Sequence, residues 1–216
     1  MCANAASKSA LRKQMKMALR TIPAAAVLAA SEAVCARVIA LEPVSSCTAA
    51  SVYLAMPSGE CQTLDIIRHL FEQDKKVFVP RIAGRGREQM QMIQMQSMQQ
   101  VLDLPRDSWG IPAVPDSQVP ADADRVPAEI DLVLVPGVAF DLSCRRLGHG
   151  KGYYDSFLER LQQSRAALGS PPAATVALAL EQQLVDAVPV DAHDVQMDML
   201  CLPTRLCARP TGDTAS

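Results

Sequence analysis

The sequence predicts an α/β fold: a single-domain three-layer sandwich whose mostly parallel open sheet carries helices on both faces. Three observations lead there. Short apolar runs of strand length alternate with helix-length amphipathic stretches, the order that gives parallel strands joined by crossover helices. Those runs are rich in β-branched residues and bounded by turn residues, as buried strands are. With 49% hydrophobic and 20% charged residues the composition is ordinary globular. A chain of 216 residues can bury roughly 70% of its unfolded surface without a disulfide or metal.

Ser7 followed by Leu11, Met15 and Leu19 predicts an N-capped helix with apolar residues four apart. A second helix follows Ile22-Pro23 and runs to about Leu41, with Pro43 marking its end. Ser51 to Ala55 predicts a buried strand and Pro57-Ser58-Gly59 a turn. Leu64 to Gln73 reads as a helix with Ile66, Ile67, Leu70 and Phe71 inward, and Val77 to Val79 as the next strand. Gly84 to Arg87 reads as a flexible loop and Met90 to Ile93 as a strand. The Met/Gln-biased run to Gln100 reads as a strand-and-turn stretch, with a low-complexity interaction tract as the alternative. Five prolines (105, 112, 115, 120 and 127) make residues 105–128 a surface excursion. Its Trp109, the only tryptophan, is either a packing lid or a ligand contact. Asp131 to Gly137 is the clearest buried strand, ending in a turn. A helix from Tyr153 to Gln163 follows, then a strand at Thr175 to Leu180, and Met199 to Leu202 closes the sheet. Residues 1–207 form the expected domain, and 208–216 a polar tail expected to fray.

A net charge of −2 and 4% aromatic content leave no basic footprint for nucleic acid. No segment approaches the roughly 20 apolar residues of a membrane-spanning helix, and no signal-peptide core follows Met1. Seven cysteines without C-x-x-C spacing read as idle thiols in a reducing compartment. A soluble cytoplasmic protein is therefore expected, meeting neither nucleic acid nor membrane; a monomer is the expectation for its assembly, which the sequence itself does not give. The first 31 residues, however, lack acids and carry Lys8, Arg12, Lys13, Lys16 and Arg20. Such a start fits an organelle-targeting helix, and equally a structural helix whose cations meet phosphate.

The chemistry concentrates at residues 137–155, beyond the carboxyl end of a strand, where open α/β sheets bind ligands. Gly148, Gly150 and Gly152 alternate, which lets the backbone take positive φ and approach a ligand. Consecutive N–H groups then face one anion, helped by the positive end of the next helix. Arg146 and Lys151 add charge, and Asp155 is a carboxylate suited to Mg2+ beside phosphates. Neither common nucleotide motif, G-x-x-x-x-G-K-[ST] or G-x-G-x-x-G, is present. From glycine spacing alone, phosphate loop and plain tight turn both stand.

The ordered pair Leu-Val-Pro-Gly-Val-Ala-Phe-Asp141 and Arg146-Leu-Gly-His-Gly-Lys-Gly-Tyr-Tyr-Asp155 closely resembles the 5-formyltetrahydrofolate cyclo-ligase family. Similar too are Lys8-x-x-x-Arg12, Tyr-Leu-Ala-Met56 with Glu60 beyond it, Phe78-Val-Pro-Arg81, Trp109-Gly-Ile-Pro112, and Val188-Pro189 to Asp194. The resemblance implies a ligase that couples hydrolysis of ATP, with Mg2+, to cyclisation of 5-formyltetrahydrofolate to 5,10-methenyltetrahydrofolate. It implies that Lys8, Arg12 and Arg146, Leu147, Gly148, His149, Gly150, Lys151, Gly152, Tyr153 and Tyr154 bind ATP. Arg12, Met56, Glu60, Trp109 and residues 149–153 would meet the reduced folate. Arg12, Glu60, Arg146 and Lys151 would be catalytic, and Asp155 with Asp194 would hold Mg2+. Asp198, four residues on, competes with Asp194 for that role, and Glu60 competes with a plain helix-cap reading. The chain departs from the family at Cys144, where glycine is usual, and at His149, often arginine. Two other readings stand beside this one: an ATP-dependent ligase or phosphotransferase with a different acceptor, and a folate- or nucleotide-binding protein without turnover.

Overall fold

The computed structural model describes residues 2–210, with side chains from residue 5 onward. Its helices are α1 (Cys2–Arg20), α2 (Ala24–Ile39), α3 (Glu42–Ser46), α4 (Leu64–Glu72), α5 (Met98–Leu102) and α6 (Tyr153–Ala167). The strands are β1 (Ala49–Val52), β2 (Lys76–Ile82), β3 (Met90–Met95), β4 (Leu132–Val135), β5 (Ala139–Phe140), β6 (Arg146–Leu147), β7 (Ala174–Leu178), β8 (Met199–Cys201) and β9 (Leu206–Ala208). Seven of them form one sheet in the order β3-β2-β1-β4-β7-β8-β9, while β5 and β6 pair as a separate hairpin. Neighbours from β2 to β8 run parallel, and the edges β3 and β9 are antiparallel. This is the mostly parallel α/β sheet that the apolar runs predict.

Every residue of β1 and β4 is buried, so both sheet faces need a cover. The two-residue period of a strand divides the cover. Ala50, Val52, Leu132 and Leu134 join the cluster built with α2 and α4. Ala49, Val133 and Val135 join the cluster built with Phe157, Leu158 and Leu161 of α6. From β1 the chain crosses through α4 to β2 on one side; from β4 it crosses through α6 to β7 on the other. The connections after β1 and β4 therefore part on opposite faces, and the crevice between them is the topological switch point where such sheets take ligands.

Several boundaries differ from expectation. Helix α1 already includes Cys2, so Ser7 lies inside it and caps nothing. Pro43 opens α3 in its first turn, because a fixed φ and a missing N–H suit that place, and α2 has ended by Ile39. Strand β1 ends at Val52, and Tyr53 to Ala55 leave the sheet toward the switch point. Helix α6 runs on to Ala167. The expected tail is corrected at its start: Leu206–Ala208 pair with β8 as an edge strand, so Ala208 belongs to the sheet. The rest of that tail, 211–216, lies outside the described residues. Among the described residues, Cys35, Cys47, Cys61, Cys144 and Cys201 are buried free thiols and Cys207 is half-buried. No single described helix is long and apolar enough to cross a membrane.

Candidate active site

Helix α1 lies over the β5–β6 hairpin because Leu11, Met15 and Leu19 pack with Val138, Leu147 and Val188. Lys8 and Arg12, on the same face one turn apart, are thereby laid against the glycine loop. Arg12 Nε donates to the Gly148 carbonyl at 2.8 Å. Its Cζ lies 3.2 Å from where a Cβ on Gly150 would stand, so the glycine makes room for the guanidinium. Lys8 is buried and bonds both Asp191, at 2.7 Å, and Asp194. Burial alone would lower its pKa, but the two carboxylates outweigh that and raise it.

The hairpin delivers Arg146. Buried Asp141 organises the turn: Oδ1 accepts from the Ser143 and Arg145 N–H groups, and Oδ2 from Arg145 Nε and the Val188 N–H. Cys144 takes a left-handed φ of 59° in that turn, the conformation that makes glycine the usual residue there. The turn survives the departure, and the thiol fills part of the α6-side cluster, where burial pushes its pKa up to about 11. Gly137 clears the path, since a Cβ there would meet Phe140 at 2.6 Å and the Arg146 stem at 3.0 Å. The Arg146 side chain is 4% exposed. Nη2 bonds Asp155 Oδ1 at 2.8 Å, Nη1 approaches the Pro136 carbonyl at 3.5 Å, and Nε has no partner.

Gly150 and Gly152 take φ of 94° and 69°, as the alternating glycines predict, and Gly152 opens α6 with no side-chain cap. Gly148 is different. Its φ is not left-handed; a Cβ there would stand 2.8 Å from Arg146 Nη1, so close approach is its requirement. The two tyrosines diverge, as helical spacing demands. Tyr153 Oη donates to the Gly84 carbonyl of the β2–β3 loop at 3.0 Å. Tyr154 turns inward: its ring centroid is 5.8 Å from Arg146 Cζ, and its hydroxyl is buried without a partner. Although part of the residue stays accessible, that hydroxyl is enclosed; burial raises its pKa strongly, the Glu60 carboxyl adds to the rise and Arg146 opposes it. His149 is exposed and Lys151 is too. Partial desolvation of the imidazole, then the Arg12 and Arg146 charges, lower the His149 pKa.

Across the switch point, the loop after β1 carries Met56 and Glu60. Gln62 Nε2 ties it together by donating to the Met56 and Glu60 carbonyls, and Tyr53 Oη bonds the Cys61 carbonyl. Glu60 is 6% exposed, and its Oε2 accepts from the Met56 N–H at 2.8 Å. Burial pushes its carboxyl up to about 7, with the Met56 N–H opposing. Glu60 caps no helix: the N-cap of α4 is Thr63. Trp109 is 71% exposed and thus no packing lid, but the adjacent Gly110 comes within 2.8 Å of Pro57 when given a Cβ. The turn that carries Trp109 and Gly110 therefore lies beside the Met56–Glu60 loop.

The N–H of Val195 donates to Asp155 Oδ1 at 3.1 Å, which sets Asp155 against the backbone next to Asp194, while the Asp194 carboxylate itself pairs with Lys8. Asp198 is elsewhere: it accepts from Thr175 N and Oγ1 and pairs with Arg209. Among the described residues no three His, Cys, Asp or Glu side chains converge on a metal position. A pair of carboxylates still suits Mg2+, which keeps waters and takes remaining ligands from substrate phosphates.

A profile of the 5-formyltetrahydrofolate cyclo-ligase family matches residues 4–203. The chain belongs to that family. A mouse 5-formyltetrahydrofolate cyclo-ligase is 33% identical over 192 residues, covering 89% of this chain and 91% of its own. A yeast (Saccharomyces cerevisiae) 5-formyltetrahydrofolate cyclo-ligase is 29% identical over 212 residues, covering 90% of this chain and 94% of its own. In fold, the chain resembles the Aquifex aeolicus 5,10-methenyltetrahydrofolate synthetase structure with a TM-score of 0.74 at 24% identity, over 97% of this chain and 96% of that one.

Three residues of this cyclo-ligase-family site escape a sequence reading. Asp141 holds the turn before Arg146. Gln183 donates to the Gly137 carbonyl at 2.6 Å and accepts from the Leu180 N–H. Asp191 shares Lys8 with Asp194. Asp141 directly follows the Phe140 strand run, a placement that marks a turn former; nothing in the local sequence distinguishes Gln183 or Asp191 from solvated polar residues.

Proposed function

We propose that this chain closes 5-formyltetrahydrofolate to 5,10-methenyltetrahydrofolate with ATP and Mg2+, releasing ADP and phosphate. The observation that carries this reading is that two of the three buried side-chain polar atoms without partners among the described residues, Arg146 Nε and Tyr154 Oη, lie beside the glycine loop, the third being Arg160 Nε against β3. Buried donors in a finished core are paired; an anionic oxygen brought by substrate would satisfy both. Transfer of the γ-phosphoryl group to the formyl oxygen breaks the bond to ADP and turns a poor leaving group into phosphate. N10 then bonds to the formyl carbon and loses its proton, while the carbon–oxygen bond breaks and phosphate departs.

In this reading Lys8, Arg12 and the segment Arg146 to Tyr154 position the triphosphate and neutralise its charge, which is most of what phosphoryl transfer requires. Arg12, Arg146 and Lys151 serve the transferring group. Met56, Trp109 and the loop backbone from His149 to Tyr153 enclose the folate. Glu60 accepts from the donor-rich pterin edge and fixes the ring, so that closure by N10 is intramolecular. Asp155 and Asp194 would hold Mg2+, which when bound offsets phosphate charge. The domain, with Ala208 included as the end of β9, acts as one catalytic unit, a cytoplasmic monomer taking small molecules.

The test is the methenyl product's absorbance with 5-formyltetrahydrofolate and Mg-ATP. Product is expected only when both ATP and Mg2+ are present, and not from Arg146→Ala. Folate binding without product from folded wild-type protein would leave a binding protein instead.

A further inference from the structure

The Lys8 ammonium has two carboxylate partners where one would balance its charge. Its side chain is 8% exposed, against 46% for Asp191 and 23% for Asp194. The three groups are linked as a unit, because the Asp191 N–H donates to the same Asp194 Oδ2 that pairs with Lys8, at 2.7 Å. The function proposed above asks Asp194 to serve a divalent cation. An Asp194 that turns to a metal–nucleotide complex weakens its hold on Lys8, and a buried ammonium stripped of its counter-charge is strongly unfavourable. Asp191 is the group that removes this conflict, since it bonds the same Nζ at 2.7 Å from the more solvated side.

We infer that Asp191 is a positioning residue of the reaction, keeping Lys8 at the phosphate loop while Asp194 is engaged by the metal–nucleotide complex. The inference rests on the proposed function. Without Asp191, Lys8 and the metal compete for one carboxylate, so metal–nucleotide affinity drops. The substitution acts through Lys8 and not through the fold, and that is what sets it apart from loss of a surface acid.

The experiment titrates Mg2+ at a fixed concentration of a non-hydrolysable ATP analogue, with the melting temperature as readout. The proteins are wild type, Asp191→Ala and Asp191→Asn, each with Lys8 intact and with Lys8→Met. Asp191→Ala is expected to weaken the apparent Mg2+ affinity by roughly tenfold or more. Asp191→Asn, which keeps an acceptor but no charge, weakens it less and carries the test if the alanine variant does not fold. In the Lys8→Met background the effect of either substitution should shrink to within about twofold. Steady-state kinetics should show a raised KM for ATP with kcat little changed. Unchanged Mg2+ affinity in a folded Asp191 variant, or an equal loss in the Lys8→Met background, overturns the inference while leaving the proposed function standing. If the wild-type protein shows no Mg2+-dependent nucleotide binding, the proposed function itself falls, and the inference falls with it.

Discussion

Arg165 and Arg146 lie at opposite ends of β4, one below the start of the strand and one beyond its finish, and both are buried. Arg165, in the last turn of α6, donates from Nε to the Pro171 carbonyl at 2.7 Å, and from Nη1 to Ala128 at 2.8 Å and Ile130 at 3.0 Å. Arg146 has one carboxylate at 2.8 Å, a stretched approach to Pro136, and an orphaned Nε. The contrast extends to the acids. At the strand starts, Asp131 accepts from Thr48 N and Oγ1 and from Ala49 N, and Asp198 from Thr175 N and Oγ1. At the strand ends, Glu60 has the Met56 N–H, and the Tyr154 hydroxyl has nothing. Arg165, Asp131 and Asp198 are saturated where they build the sheet, whereas Arg146, Glu60 and Tyr154 are left short of partners around the glycine loop.

Exchanging the roles of the two arginines breaks this contrast most severely. Arg146→Ala should lower turnover by roughly a thousandfold, the scale on which a charge-stabilising arginine acts in phosphoryl transfer. Arg165→Leu should strand two buried carbonyls, those of Ala128 and Ile130, and destabilise the fold by about 4 kcal/mol, while the protein that remains folded turns over normally. Urea unfolding and steady-state rates on both variants decide it. Comparable stability losses with comparable activity losses would erase the distinction between the two ends.

Glu60 sharpens the comparison through pH. Burial moves its carboxyl from 4.5 to about 7. Between those values the folded state keeps a proton that the unfolded chain has released, so stability falls as pH rises through the window. The penalty is absent below pH 4.5 and complete above 7. Glu60→Gln keeps an acceptor for the Met56 N–H and removes the ionisation. It should be the more stable protein by about 3 kcal/mol at pH 8, with little advantage at pH 5. It should also bind folate poorly. Denaturant unfolding at the two pH values checks this, and a pH-independent difference would mean that Glu60 is not held in a desolvated place.

Sequence carries much of this arrangement, and unevenly. The buried strands are legible because continuous apolar runs such as Leu132 to Val135 have few other fates, and strand–helix–strand order makes them parallel. The glycine loop is legible through its spacing and flanking charges. Strand β9 is not, because an edge strand of Leu206, Cys207 and Ala208 shows no period and depends on β8 for its pairing. The partition of polar groups is equally hidden. Arg165 and Arg146 differ by which carbonyls happen to surround them, and Asp191 acquires its role only when α1 brings Lys8 across 183 positions of chain.

Cys144 tests how rigidly the site end must hold its own backbone. Its φ of 59° costs about 1–2 kcal/mol for a residue with a Cβ, and burial of the thiol in the α6-side cluster returns a similar amount. Cys144→Gly should therefore leave stability within about 1 kcal/mol of the wild type. Cys144→Val adds β-branching in a left-handed turn and should destabilise by roughly 2 kcal/mol. It should also lower kcat, because Arg146 leaves that turn two residues on. Melting curves and kcat on the pair measure it; a valine variant with normal kcat would show that the turn does not set the guanidinium.

The smallest expected stability change isolates the two ends within one helix. Gly152 opens α6 and Gly169 follows its end, with φ of 69° and 68°. A Cβ on Gly169 would meet nothing within 4 Å, while one on Gly152 would stand 3.7 Å from the Arg87 side chain of the β2–β3 loop. Alanine at either place should cost about 1 kcal/mol for the left-handed backbone alone. Only Gly152→Ala should lower turnover, by roughly tenfold or more, because any relaxation of that φ re-aims the first N–H groups of α6 at the anion site. Thermal unfolding should place the two variants together and kinetics should separate them. Equal turnover would mean that the loop backbone tolerates displacement, and the site end would then differ from the structural end in its side chains alone.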